Sequence, residues 1–194
     1  MKKITALFFF FTVGFCLYAQ TLTWDIKFLK GTEKESVPIS RQIKMETGEF
    51  FLITVMPEAD CFCYVIFYDS ERQISVIRNA PIQDGIEINI GPFQLEDPPG
   101  TETFYVIMSL ARQKNLENLI QAFNGNPNSK QNANNLYGEV ANLQKAASNL
   151  GEPASSFVAS GGTTRGAPGE NVQQAQVTRF SGKAMYVRAI TIRH

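Results

Sequence analysis

Apolar and polar residues alternate along the first half of the chain, a pattern typical of β-strands that bury one face. Leu22, Trp24, Ile26 and Phe28 are separated by polar residues. Residues 61–68 are instead apolar on both faces and rich in aromatic side chains, which favours a strand covered on both sides. The strands predicted in this half cover residues 22–28, 39–45, 50–55, 61–68, 73–77, 86–90 and 101–110.

Turn residues separate these strands at short and even intervals. Residues 57–60 and the acidic stretch 69–72 are predicted turns, and Pro98, Pro99 and Gly100 form a third. Strands do not alternate with helices before residue 110, which argues against a parallel α/β sheet. The pattern therefore predicts a mainly β protein, an antiparallel β-sandwich of immunoglobulin-like or barrel-like form.

After residue 110 the spacing of apolar residues changes from that of strands to that of amphipathic helices. Leu116, Ile120 and Phe123 lie on one face of a first predicted helix, and Leu136 begins the apolar stripe of a second. Both stripes are expected to pack on the same domain. Residues 152–171 are rich in Gly, Ser, Thr and Pro and are predicted to be a mobile loop.

Two further strands are predicted near the end of the sequence, over residues 172–180 and 183–193. Ser181 and Gly182 are the expected hairpin turn between them. Because these strands are expected to return to the sheet, residues 111–171 are interpreted as a helical and loop insertion. The domain prediction is a single β-rich domain over residues 21–194.

The first 20 residues have the three-part order of a secretory signal. Lys2 and Lys3 precede the apolar residues 4–17, and Ala19 supplies a small residue near the end. Cleavage after Ala19 or Gln20 is the first expectation. Retention as a membrane anchor and lipidation at Cys16 are the alternatives. Each of them places the protein outside the cytoplasm, in the periplasm or at the cell surface, with membrane contact only through this segment.

The charge balance argues against a nucleic-acid partner. The chain has 18 Lys and Arg residues against 18 Asp and Glu residues. Removal of the predicted signal takes away two lysines, so acids then exceed bases by two. No excess of cations is left to neutralise phosphates or to bind an anionic membrane face.

The cysteine and histidine content excludes several kinds of site. Cys61 and Cys63 are spaced as i and i+2 on a strand, where a disulfide would be strained, so they are predicted to be buried core residues. His194 is the single histidine, and at the end of the sequence it is expected to be poorly held. No catalytic, metal or cofactor residues are therefore predicted.

Two weaker signals for chemistry remain. Glu96 and Asp97 precede the Pro-Pro-Gly turn and Glu102 follows it, which is compatible with paired carboxylates but is interpreted as a set of solvated turn acids. Residues 161–166 contain three glycines and Arg165, but they lack the spacing of a phosphate-binding loop and are interpreted as mobile loop.

Residues 48–110 carry features of a known family. Gly48 precedes an apolar strand, residues 64–71 form an aromatic strand with an acidic hairpin, and residues 98–103 read Pro-Pro-Gly-Thr-Glu-Thr before another strand. This stretch resembles a bacterial extracytoplasmic domain of unknown function that is also found appended to caspase-like peptidases and protein kinases. The resemblance implies a compact β domain that accompanies other activities, and it brings no catalytic residues.

The sequence thus favours a non-enzymatic binding module of the cell envelope. An envelope protein is the expected partner, and the chain could be an accessory subunit of a surface protease or another envelope complex. The alternative is a carboxylate-based hydrolase that acts on envelope glycans, and a third hypothesis is a structural lipoprotein modified at Cys16.

Overall fold

The chain is mainly β, and its strands belong to two sheets. The computed structural model describes residues 21–32, 35–39, 42–148, 155–159 and 175–194. Cys16, Ala19 and Gln20 therefore lie outside the described residues, as does the glycine-rich stretch 161–166. The strands are β1 Thr21–Lys30, β2 Glu35–Val37, β3 Ile43–Lys44, β4 Phe50–Pro57, β5 Cys61–Tyr68, β6 Ile74–Ile82, β7 Ile88–Gln94, β8 Thr101–Ser109, β9 Ser155–Ala159, β10 Ala175–Lys183 and β11 Met185–Arg193. The helices between β8 and β9 are α1 Lys114–Gly125 and α2 Lys130–Ser148.

The strand order separates the two sheets completely. Sheet A has the order β7-β4-β1-β10-β9, and β2 also pairs with β1; sheet B has the order β3-β11-β8-β5-β6. The described pairings are antiparallel except that of β3 with β11, which is parallel. The prediction of a mainly β fold is confirmed. The barrel-like form is wrong, because the described strands form two sheets and not a closed barrel.

Both sheets contribute alternate side chains to one hydrophobic core. Phe51 of sheet A is stacked 5.3 Å from Phe28 and meets Phe104 of sheet B edge-on at 5.6 Å. Trp24 of sheet A similarly contacts Tyr186 of sheet B, with ring centroids 5.8 Å apart. Burial of each such ring stabilises the fold by about 1.5–3 kcal/mol relative to an exposed ring.

Asp25 departs from the pattern expected for β1. It alternates with the core residues, as predicted, but it is only 5% exposed. Its cross-strand partner is Arg179, whose Nε and Nη2 atoms donate to the two carboxylate oxygens at 2.8 and 2.9 Å. Arg179 also forms an ion pair with Glu58 at 2.6 Å. A bidentate partner in this geometry satisfies the buried carboxylate and offsets the cost of removing it from water.

The two helices pack on the face of sheet B that points away from sheet A. The predicted stripes of both helices are buried there, which confirms their assignment to packing. Tyr64 fixes the start of α1, since its hydroxyl accepts from the backbone N of Gln113 and donates to Glu117 Oε1, each at 2.9 Å. No helix in the described residues is long and apolar enough to span a membrane.

The predicted terminal hairpin is wrong. β10 pairs with β1 in sheet A, whereas β11 pairs with β8 in sheet B. Ser181 and Gly182 continue β10 opposite β1, and the chain passes between the sheets at Ala184, which has φ +62°. The apolar pattern of both strands was recognised, but alternation alone does not reveal which strand each one pairs with.

The predicted loop 152–171 also needs correction. Ser155–Ala159 forms β9, which pairs with β10 at the edge of sheet A. The predicted insertion, residues 111–171, thus includes a strand of the main fold. The mobility expected for this stretch stays a prediction.

Cys61 and Cys63 are buried and free, as predicted. Both belong to the core shared by the two sheets. Burial raises the pKa of the Cys61 thiol to about 11 and that of Cys63 to about 12. Both thiols therefore stay protonated and weakly nucleophilic near neutral pH.

Candidate functional site

Two turns of the chain meet at one end of sheet B. In the hairpin turn between β5 and β6, Asp69 Oδ1 accepts hydrogen bonds from the backbone N of Glu71 at 2.9 Å and of Gln73 at 2.7 Å. Ser70 Oγ donates to the carbonyl of Pro98 at 3.1 Å. A Cβ added at Gly100 would lie 2.6 Å from Ser70 Cβ, so only glycine fits. The hairpin and the Pro-Pro-Gly turn thus hold each other in place.

A groove opens beside these turns, on the face of sheet B that carries the helices. It encloses about 580 Å³, within the range usual for ligand sites. We call it the tyrosine groove. Its lining comes from the ends of β5 and β8, the hairpin turn, the start of β6 and helix α2: Tyr68, Asp69, Arg72, Ile74, Thr101, Thr103, Tyr105, Ala133, Asn134 and Tyr137.

Three tyrosine rings form the aromatic part of the groove. Tyr68 meets Tyr105 edge-on with ring centroids 5.4 Å apart, and it meets Tyr137 in the same way at 5.3 Å. Tyr68 is 9% exposed, whereas Tyr137 is 53% exposed. The Tyr68 hydroxyl has no hydrogen-bond partner in the described chain. A buried polar group left in this way costs about 1–3 kcal/mol, which a ligand or water could relieve.

Arg72 lies at the rim of the groove in an unfavourable backbone conformation. Its φ is +65°, although it is not a glycine. This left-handed conformation costs about 1–2 kcal/mol for an ordinary residue. The turn imposes it, since Arg72 N donates to the Asp69 carbonyl at 3.1 Å and Asp69 N donates to Gln73 O at 3.2 Å. The guanidinium forms no ion pair with the described residues, so it is available to a ligand.

An acidic pocket of about 300 Å³ lies on the other side of β8. It brings together Glu96, Asp97 and Glu102, the carboxylates that the sequence singled out, with Asp69 and Glu71 beside them. Glu96 and Asp97 are exposed, as expected of turn acids. For Glu102 the interpretation as a solvated acid is wrong, because this residue is 8% exposed.

Glu102 lies next to His194. The His194 Nε2 atom lies 3.6 Å from Glu102 Oε1, and the histidine side chain has no exposed surface. His194 Nδ1 is 3.2 Å from Thr47 Oγ1, and its backbone N donates to the Gly100 carbonyl at 3.1 Å. The expectation that this histidine is poorly held was therefore wrong.

The surroundings of Glu102 change its acidity. Burial raises the pKa of its carboxyl, the neighbouring His194 lowers it, and the charges of Asp69 and Glu96 raise it further, with a net rise. A carboxyl with a raised pKa can donate or accept a proton closer to neutral pH. No group of three or more His, Cys, Asp or Glu side chains in the described part of the chain is arranged to hold a metal ion.

Arg78 of β6 and Arg188 of β11 contact other parts of the fold. Arg188 lies over the Phe180 ring at 5.3 Å and donates to the carbonyl of Ile39 at 3.3 Å. Arg78 donates to the Pro81 carbonyl at 3.4 Å. Neither forms an ion pair with the residues described, and neither lines the tyrosine groove.

The tyrosine groove was missed at the sequence level. Tyr68 and Tyr105 were recognised only as strand residues, and Tyr137 stands next to the apolar stripe of α2 rather than in it. A large aromatic residue beside a helical stripe was the available signal. Its meaning depends on which strand ends lie under the helix, which the sequence alone does not show.

Comparison with protein-family models, curated proteins and solved structures finds no match. The resemblance of residues 48–110 to the extracytoplasmic domain therefore stays a prediction.

Gly100→Ala is expected to destabilise the protein by about 1–3 kcal/mol, because the new methyl group overlaps Ser70. Gly138→Ala is the matched control. Gly138 lies inside α2 with open space around its Cβ position, so this change should stabilise by about 0.5–1 kcal/mol. Urea unfolding measures both free energies. Equal effects of the two substitutions would contradict the packing of the two turns.

Glu102→Gln is expected to change how stability depends on pH. The pKa of Glu102 is higher in the folded state than its ordinary value of 4.5, so the folded state binds the proton more tightly. Its stability contribution is therefore present below 4.5 and is lost as the pH rises through the raised pKa. The glutamine variant should gain in relative stability over that window.

Urea unfolding at a series of pH values from about 4 upward measures this difference. Asp97→Asn, which removes an exposed carboxylate from the same pocket, is the control and should follow the unsubstituted protein more closely, since Asp97 is not among the groups that shift the pKa of Glu102. A Glu102→Gln effect of the same size at every pH would show that burial does not perturb this carboxyl.

Proposed function

We propose that this protein is a non-enzymatic binding module of the cell envelope and that the tyrosine groove is its binding surface. The observation that carries the proposal is the combination of an exposed ring at Tyr137, an unpartnered buried hydroxyl at Tyr68 and an unpaired guanidinium at Arg72. These groups line one cavity, and among the described contacts none uses the Tyr68 hydroxyl or the Arg72 guanidinium in the fold.

The fold gives such a surface a rigid support. The ends of β5 and β8 belong to the interior of sheet B, where each strand is paired on both sides. We further propose that the two sheets form a β-sandwich of the immunoglobulin-like class, since their facing side chains share one core. A sandwich presents loops at its ends on a framework that does not need to move.

Location in the envelope is part of the same proposal. It is supported by the order of residues 1–20, in which two lysines are followed by an apolar stretch and then by a small residue. An accessory subunit of a surface protease or another envelope complex fits a binding module that is exported. A retained or lipidated segment would hold it at the membrane.

Export predicts a processed N-terminus. Protein isolated from its native cell is expected to begin near Gln20 or Thr21, or to be blocked at Cys16, because signal peptidases recognise this three-part order. N-terminal sequencing with intact-mass measurement distinguishes these results. A cytoplasmic protein that retains Met1 would refute the proposed location.

The binding proposal predicts that Tyr137→Ala weakens the capture of envelope material by the immobilised protein. This ring is about half exposed and its described ring contact is the one with Tyr68, so its loss should lower the free energy of unfolding by no more than about 1.5 kcal/mol. Phe50→Ala is the matched control, since Phe50 is 41% exposed and lies outside the groove. Envelope extract is passed over each immobilised variant, and the bound material is quantified.

Capture that falls with Tyr137→Ala and is kept with Phe50→Ala supports the groove as the binding surface. Equal capture by all three proteins would place any binding elsewhere and contradict the proposal.

The second candidate function is a hydrolase that acts on envelope glycans. The pairing of a buried Glu102, with its raised pKa, and other carboxylates in one pocket favours it, since glycosidases use one carboxyl as an acid and another as a base or nucleophile. Turnover of a glycan that Glu102→Gln abolishes in a folded protein would replace the binding proposal by this one.

A further inference from the structure

We infer that the ligand of the tyrosine groove is an uncharged glycan chain. The inference rests on the proposed binding function and specifies the chemistry of what is bound. Three kinds of group in the groove determine which ligand it can bind: the backbone, the aromatic rings and the polar side chains.

The backbone groups of β5 and β8, which lie under the groove, are already hydrogen-bonded to neighbouring strands. β8 is hydrogen-bonded to β11 on one side and to β5 on the other, and β5 pairs with both β8 and β6. Thr101, Thr103 and Tyr105 therefore present side chains to the groove from a strand with no free edge. A peptide cannot add to β5 or β8 as a further strand, so recognition over these two strands has to come from side chains. β6, which contributes Ile74 to the lining, is an edge strand of sheet B.

The aromatic rings suit a ligand with apolar C–H faces. Tyr68 is buried and meets the other two rings in a T-shaped arrangement, and Tyr137 extends to the solvent from α2. The groove therefore has an aromatic lining with the Tyr68 hydroxyl buried beneath it. A sugar ring has the matching composition, since its C–H face can lie on an aromatic ring while its hydroxyl groups remain free to hydrogen-bond.

The polar side chains suit hydroxyl groups rather than charges. Thr101, Thr103 and Asn134 each offer neutral donors and acceptors. The unpartnered Tyr68 hydroxyl adds one more, and the planar guanidinium of Arg72 offers several donors at the rim. Such a set can satisfy the many hydroxyls of a sugar chain, each of which would lose water on binding.

The charge around the groove argues against an anionic ligand. Asp69 lines the groove together with Arg72, so their charges balance. Glu71, Glu96 and Asp97 are exposed around the neighbouring acidic pocket. A polyanion, whether a nucleic acid or an acidic polysaccharide, would meet more negative than positive charge at this end of the sheet.

The test uses a panel of immobilised neutral oligosaccharides, made of glucose, mannose, galactose or N-acetylglucosamine units, and the full mature chain. The unsubstituted protein is expected to bind at least one member. Tyr137→Ala should weaken that binding about threefold to tenfold through loss of a stacking ring. Phe50→Ala should leave it unchanged.

Tyr68→Phe gives a readout that a purely structural role would not. It keeps the ring and removes only the hydroxyl that lacks a partner, so the variant should be at least as stable as the original protein. Binding to the same oligosaccharide should nevertheless fall about twofold to tenfold, because the ligand loses a hydrogen bond.

The outcomes separate this inference from the proposed function. Oligosaccharide binding that both tyrosine substitutions weaken supports the glycan. If no oligosaccharide binds, but groove-dependent capture of envelope material persists and is destroyed by protease and not by periodate, the ligand is a protein and the glycan inference fails alone. If neither the panel nor the envelope extract shows groove-dependent binding, both fail.

Discussion

Burial of sheet B on both faces is the constraint on which the rest of the structure depends. Cys63, Val65 and Phe104 face sheet A, while Tyr64 and Ile107 face the two helices. This explains why residues 61–68 are apolar in succession rather than in alternation. It also requires two amphipathic helices after β8, since without them the second face would expose an apolar surface to water. The groove lies where this helical cover reaches the ends of the strands.

The β5–β6 hairpin turn and the Pro-Pro-Gly turn pack against each other at this end of sheet B and fix the position of the residues around them. Because Gly100 allows the Pro-Pro-Gly turn to approach Ser70 closely, the hairpin turn is held against the start of β8. Arg72 is thereby fixed at the groove, and Glu102 is held beside His194 at the acidic pocket. One packing contact thus positions both candidate sites. The backbone strain at Arg72 is the cost of that arrangement, and such strain is found preferentially where a residue serves a function.

Local patterns predicted much of the fold. The strand periods, the helical stripes and the burial of Cys61 and Cys63 follow from side-chain chemistry over short stretches, so they could be read from the sequence. Strand pairing could not, because it depends on contacts between distant residues. For this reason the link through Ala184 was mistaken for a hairpin and β9 for a loop.

The candidate sites show the same limit. Glu96, Asp97 and Glu102 were identified as residues of interest, but their separation along the chain does not reveal that Glu102 is buried and lies next to His194. The tyrosine groove combines three strands, a turn and a helix. Its residues share no motif, and only the fold brings them together.

The proposed function requires the Arg72 guanidinium for binding and not for stability. A paired measurement on Arg72→Gly, of the free energy of unfolding and of envelope capture, tests this directly. Glycine removes the guanidinium and also relieves the left-handed strain, so stability should be unchanged or higher by about 1 kcal/mol while capture falls. A variant that keeps full capture would contradict the account, and so would one that loses capture only because it is less stable.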